Sequence, residues 1–180
     1  MSRYEKAERT APRSGRDILT THCRSLQAVR RTKITAITMT TETNKAVMGR
    51  FLQFINTASE KLAEELISPD AVFHVPGRPE PMRGPAGYLA IIGMMRGGFP
   101  DIQWTLEEVI AEGDKVAARF TMRGTHRGAF FGVPPTGKTI AVQAMNFYRL
   151  SGGQFVEERG QPDLLGLLQQ IGAVPTPSGA

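Results

Sequence analysis

An α+β fold, with helices first and antiparallel strands after them, is predicted by three features of this 180-residue sequence. Apolar residues recur at three- and four-residue steps up to about residue 95, the period then changes to two, and glycine-containing turns separate the period-two runs.

The elements follow in order. Val47, Phe51, Phe54, Ile55 and Ala58 form one apolar face of a helix over about 43–58. A second short helix covers 59–66, with Leu62, Leu66 and Ile67 turned inward, and Ser68-Pro69-Asp70 punctuates it. Residues 71–75 read as a short strand, and the Pro- and Gly-rich stretch 76–84 as a loop, because proline removes ladder donors. Pro85 suits the start of a helix running to about Met95, which Gly97-Gly98 and Pro100 end.

Beyond this point Ile102, Trp104 and Leu106 alternate with polar residues. A turn at Glu112-Gly113-Asp114-Lys115 leads to Val116, Ala118, Phe120 and Met122 on one face of the next strand, which makes an antiparallel hairpin. After a loop over 124–137, strands are expected over 138–150 and 154–160, joined at Ser151-Gly152-Gly153. A helix over 163–171 closes the domain, and residues from Pro175 form a loose tail. A curved sheet wrapped over helices leaves a deep apolar cavity, the usual setting for a small-molecule site.

The net charge of +5 invites a nucleic-acid reading, but its location opposes one. Nine Arg and Lys residues precede Met39 against only Glu5, Glu8 and Asp17, whereas acids and bases nearly cancel afterwards. The body therefore lacks the broad basic face that phosphate binding demands. Residues 1–38 read as a weakly ordered basic leader without the apolar segment of a secretory signal, and Met39 offers a second start. The longest apolar run, Tyr88 to Met95, is broken by Gly93 and far too short to span a bilayer, so no membrane partner is expected. The lone Cys23 cannot form an internal disulfide, which fits a reducing compartment, and the cytoplasm is the expected location. His22, His74 and His126 lack metal-ligand spacing, so no metal site is expected.

Several phrases carry a family resemblance: Gly98-Phe99-Pro100-Asp101, Glu112-Gly113-Asp114-Lys115-Val116, the long run from Arg123-Gly124-Thr125-His126 to Thr136-Gly137-Lys138, and the ending from Asp163 to Ala173. In shared order and spacing they cover nearly everything after Met39, and the chain resembles the SnoaL-like polyketide cyclases of the NTF2-like superfamily. That resemblance implies a domain over residues 39–175: a cone-shaped, half-open barrel of curved antiparallel sheet packed on N-terminal helices, often dimerised through the sheet. A homodimer is thus expected. Characterised relatives close a ring of aromatic polyketide esters by intramolecular aldol condensation without metal or cofactor. An acidic side chain exchanges the proton there, and the pocket stabilises an enolate.

The resemblance places Asp163 at the acidic position before the closing helix that the cyclases use for proton transfer. From the residues alone, Asp163 follows Pro162 and precedes a helix, which suits an N-cap equally. His126 can polarise a carbonyl or shuttle a proton, or its ring can fasten the Gly- and Pro-rich loop that follows. His74 can line the pocket from a strand end. Arg119 holds a substrate oxygen if its face of the sheet meets the cavity, and makes a salt bridge if it meets solvent. Trp104, Phe120, Phe147 and Tyr148 are candidate walls. Relatives commonly carry Glu-His-Trp and then an acid after the last turn, where this chain has Glu157-Glu158-Arg159-Gly160.

Three functions compete. The first is a cofactor-free cyclase acting on a polyketide-like ester or a related small apolar or aromatic compound. The second is a protein that binds such a ligand without turnover. The third, epoxide hydrolysis or isomerisation, needs cooperating acids, for which Glu157 is the obvious strand-borne partner of Asp163.

Overall fold

Helix α1 runs through residues 41–57 of the computed structural model, which describes residues 41–176. The readings made for residues 1–38 and for most of the tail lie outside that range. Its buried side chains, Asn44, Met48, Phe51, Phe54 and Ile55, recur at helical spacing and form one stripe. The stripe's single polar member is satisfied, since Asn44 Nδ2 donates to the Gly113 carbonyl at 2.8 Å. Ser59 caps α2 (Glu60–Leu66) by accepting from Leu62 N–H at 3.3 Å.

The chain passes directly into β1 (Ile67–His74). This strand starts earlier than its composition suggests, and its ladder register breaks between Ile67 and Val72, the stretch that holds Pro69. A proline has no N–H for the ladder, so strand and interruption coexist. The loop expected over 76–84 ends in a two-residue strand, β2 (Met82–Arg83), paired antiparallel with β1. Helix α3 (Gly84–Gly98) then runs three residues beyond the predicted stop. Gly84 has φ +62°, and a Cβ there would lie 2.8 Å from the Pro69 carbonyl oxygen, so the start of α3 requires glycine.

Strands β3 (Gln103–Glu112), β4 (Lys115–Thr125), β5 (Thr139–Ser151) and β6 (Gln154–Pro162) complete a six-stranded sheet of order β2-β1-β6-β5-β4-β3. Its end strands are different, so the sheet is unclosed, and with its helices it forms the expected α+β architecture. One ladder within it, β1 with β6, runs parallel, because the first strand returns beside the last. Edge strand β3 is tied to α1 by Asn56, whose amide exchanges two 2.8 Å hydrogen bonds with the backbone of Trp104 in the manner of a neighbouring strand.

Alternation on β5 is nearly perfect: Ile140, Val142, Ala144, Tyr148 and Leu150 are buried, Asn146 on the same face is half-buried, and the residues between are exposed. The inner face carries two cores. One centres on Phe51, whose ring lies within 6 Å of the Phe54, Tyr88, Tyr148 and Phe155 rings. The other gathers Phe99, Met122, Phe130, Ile140 and Val142 under α4 (Leu164–Ile171).

Asp163 caps α4: its Oδ1 accepts from Gly166 N–H at 2.8 Å. A Cβ at Gly166 would come within 2.2 Å of that carboxylate, so the glycine makes room for the cap. Replacing Asp163 by Ala is expected to lower stability by about 1 kcal/mol in urea denaturation, the usual worth of an N-cap. An unchanged midpoint would remove the capping role.

Candidate active site

Between the two cores lies a space that neither fills. It amounts to about 940 Å³ including its open mouth. Ile55, Phe73, Tyr88, Ile92, Phe120 and Tyr148 line it from the first core, and Met122, Phe130, Ala144 and Leu167 from the second. Trp104 packs against both cores and lines the space as well. The walls are mostly apolar, and no Lys or Arg contributes to them among the described residues.

Among the described residues, one acid enters this cavity. Glu158 on β6 is buried at 7% exposure, and its Oε1 accepts from Asn146 Nδ2 at 2.7 Å. The same Nδ2 donates to the Tyr148 hydroxyl at 3.0 Å, and Asn146 Oδ1 accepts from Gln161 N–H at 3.3 Å. The amide is thereby oriented with its NH₂ toward the acid. Oε2 of Glu158 has no hydrogen-bond partner within reach among the described residues. Burial raises the Glu158 pKa to about 7, against the opposing pull of Tyr88, Tyr148 and Asn146. Burial, and then the nearby carboxylate, hold the Tyr88 and Tyr148 phenols well above their usual range, so both stay protonated donors.

A carboxyl that exchanges its proton near neutrality, two phenols and an amide, all in an apolar enclosure, can take a proton from carbon and return it to oxygen. Two phenols and an amide also supply donors for a developing oxyanion.

Residues 45–171 match the family model for the SnoaL-like polyketide cyclase. The chain belongs to that family. Aklanonic acid methyl ester cyclase DauD from Streptomyces sp. (strain C5) is 31% identical over 141 residues, covering 74% of this chain and 84% of the relative. Nogalonic acid methyl ester cyclase from Streptomyces nogalater is 29% identical, covering 65% of this chain and 88% of the relative. Among solved structures, wild-type IdmH from Streptomyces antibioticus superposes with a TM-score of 0.65 at 33% identity, over 72% of this chain and 98% of that one.

Within this SnoaL-like domain the residues singled out from the sequence fall into three groups. Trp104, Phe120 and Tyr148 wall the cavity, and His74 stands at its rim. Arg119 and Phe147 lie on the opposite face of the sheet, where Arg119 Nε is 3.5 Å from Glu108 and Phe147 is 64% exposed. Glu157 is also off the cavity, paired with Arg159 at 3.1 Å, Arg149 at 3.3 Å and His74 at 3.8 Å. Partial burial opposes its ionisation, but the two guanidinium groups outweigh this and hold its pKa below the ordinary value.

Asp163 and His126 do not line the cavity. The Asp163 carboxylate is committed to the helix end, although its neighbours Pro162 and Leu164 are wall residues. His126 is fully buried, with Nδ1 3.0 Å from Thr136 Oγ1 and its ring 5.3 Å from that of Phe99. Its backbone also bridges the loop, donating to Lys138 and accepting from Gly137.

Asn146, Tyr88 and above all Glu158 were not among the predicted site residues. The signal for Glu158 is hidden by a β-bulge. Between Arg149↔Glu157 and Leu150↔Phe155 the register advances one residue on β5 and two on β6, so Val156 is an extra residue. Strict alternation from the buried Phe155 would turn Glu157 inward; the bulge turns Glu158 inward instead.

The Glu158 carboxyl makes stability depend on pH in a definite direction. In the folded protein it keeps its proton up to about pH 7, whereas its ordinary pKa is 4.5. The unfolded chain therefore binds fewer protons across that window, and stability falls as pH rises through it, by about 3 kcal/mol in total. Glu158→Gln should lack this slope, so urea denaturation at pH 4.5 and pH 8 should show the variant gaining on the wild type by about that amount. Parallel pH profiles would exclude the raised pKa.

Proposed function

We propose that this chain is a cofactor-free ester cyclase that closes a ring in a polyketide-like substrate, with Glu158 as its acid/base. The observation that carries the reading is a buried, oriented carboxyl with one free oxygen, alone among apolar walls beside two phenols. Glu158 as carboxylate removes a proton from a carbon already acidified by flanking carbonyl groups. The resulting enolate carbon attacks a ketone carbonyl of the same molecule, and the new alkoxide recovers the proton from Glu158. A carbon–carbon bond forms, no atom is lost, and neither oxidant nor metal enters the balance. Tyr88 and Tyr148 stabilise the enolate oxygen. Asp163 and His126 take structural parts in this reading, at the helix cap and in the loop. His74 contributes at the rim; Arg119 and Glu157 act in surface ion pairs.

The aklanonic and nogalonic acid methyl ester cyclases support an aromatic polyketide methyl ester as the substrate class. Product NMR on a panel of such esters is the test. Glu158→Gln should lower kcat by about 10²- to 10⁴-fold, the usual worth of a positioned acid/base. Asp163→Asn should leave it within a few-fold, and kcat/KM should rise with pH to a plateau above about pH 7, because the base must be deprotonated. Turnover unchanged in Glu158→Gln would remove its role. Binding of every ester without any product would leave a ligand-binding protein.

We also propose that the chain forms a homodimer through the outer face of the sheet and works in the cytoplasm. Ile110, Met145 and Phe147 are exposed there at 63%, 58% and 64%, and Ala117 pairs with both Ile110 and Phe147 across the strands. Such a contiguous apolar strip favours association. The single Cys23 supports a reducing compartment. In sedimentation velocity the wild type should run as a dimer and Phe147→Glu as a monomer. A monomeric wild type at high protein concentration would exclude this interface.

A further inference from the structure

Six large hydrophobic side chains are exposed among the described residues. Three of them, Ile110, Met145 and Phe147, belong to the outer sheet face. The others, Met94, Phe131 and Leu165, sit elsewhere: Met94 and Phe131 line the cavity, and Leu165 follows the lining residue Leu164. Phe131 is the most exposed of these three, at 59%, and its backbone is the most unusual.

Phe130 and Val133 exchange backbone hydrogen bonds at 3.0 and 2.9 Å, so Phe131 and Gly132 form a two-residue turn. Both have positive φ, +45° and +77°. Turns of this hand favour Asn or Asp followed by Gly, because a Cβ in the left-handed region is strained. Gly132 fits that preference, whereas Phe131 does not. Among the described residues Phe131 adds little to the core either: it is largely exposed, and its ring meets one other ring, that of Phe130, at 4.6 Å.

The turn is nevertheless firmly seated. Phe130 is buried against Phe99 at 5.1 Å and lies so close to Gly98 that a Cβ there would fall 2.7 Å from its ring. Arg127 and Gly128 N–H both donate to the Gly98 carbonyl at 3.0 Å, and a Cβ on Gly128 would meet the Gly97 carbonyl oxygen at 1.8 Å. A strained, exposed aromatic residue is thus held on a fixed support at the cavity.

We propose that Phe131 is a specificity-determining residue, a stacking platform for the outer ring of a flat, fused-ring substrate whose reacting end lies beside Glu158. A flexible aliphatic chain gains little from an aromatic face that a leucine would not provide. A planar polycycle gains an offset stack on a ring carried by a backbone turn already held in place. The proposal rests on the cavity being the substrate site, but not on turnover there.

Binding measurements separate the two. Trp104, the only tryptophan in the chain, lines the cavity, so its quenching, corrected for ligand absorbance, reports occupancy. The full chain is titrated with 1,8-dihydroxyanthraquinone, which has three fused rings, and with methyl salicylate, which has one. Phe131→Ala should weaken the anthraquinone about tenfold and methyl salicylate less than twofold. Phe131→Asn should lose the same tenfold while its Tm stays level or rises, because Asn suits the left-handed turn. Phe131→Tyr should retain the preference. Equal weakening of both ligands with a lowered Tm would make Phe131 structural, and unchanged affinity in both variants would make it inert; either result overturns the proposal. Retention of the anthraquinone preference in the wild type, with no product from any ester in that same protein, would sink the cyclase reading and leave this one standing.

Discussion

Burying the Glu158 carboxyl with no cation beside it among the described residues is costly, and much of the local structure is organised around it. A charged carboxylate in that position would be strongly disfavoured, so the group holds its proton to about pH 7. What keeps it in place is neutral. The Asn146 amide grips Oε1 and the Tyr148 hydroxyl with the same nitrogen, while Gln161 N–H holds the other end of the amide. Asn146 and Tyr148 alternate correctly on β5, but Glu158 reaches them only because Val156 is an extra residue in β6. Without the bulge, Glu157 would face the cavity, and the ion pairs on the outer face would lose their centre.

The cavity exists because two cores meet incompletely. Helices α1 to α3 cover one end of the sheet around Phe51, and α4 covers the other around Leu167. Dense packing within each core fixes the walls, and Trp104, held by Asn56, touches both. A pocket formed this way is preformed rather than induced, which lowers the ordering cost of a rigid ligand.

Much of this was legible in the sequence and some was not, for identifiable reasons. The α1 stripe, the hairpin of β3 and β4 and the alternation of β5 follow from periodicity, because each buries one face only. The parallel β1–β6 ladder joins residues some ninety positions apart (Ile67 with Phe155, for example), and no local pattern announces it. Trp104 and Phe120 line the cavity because large aromatic residues on an inward strand face border whatever lies inside. Asp163 and His126 stood out by motif, but motif position does not say where a side chain's hydrogen bonds go. Asp163 spends its carboxylate on Gly166, and His126 its ring on Thr136. Glu158 was missed because a one-residue bulge reverses the facing of every later residue on the strand.

That reversal bears on how this chain departs from the family pattern of Glu-His-Trp followed by an acid. Here the position after Arg159 is Gly160, which lines the cavity, and a Cβ on it would lie 3.3 Å from both Asn146 Oδ1 and Glu158 Oε1. Glu158 and Gly160 therefore share one small space. A second carboxylate at 160 would crowd the amide that orients Glu158 and would set two like charges together in an apolar enclosure, where both cannot ionise. The two positions are alternatives for a single acid. A glutamate at 158 has one methylene more than an aspartate with which to span the step between alternate residues of one strand face. The absence of a side chain at 160 leaves that acid room inside the cavity. The departures at 158 and 160 are thereby coupled: the carboxyl at 158 uses the space that a side chain at 160 would need.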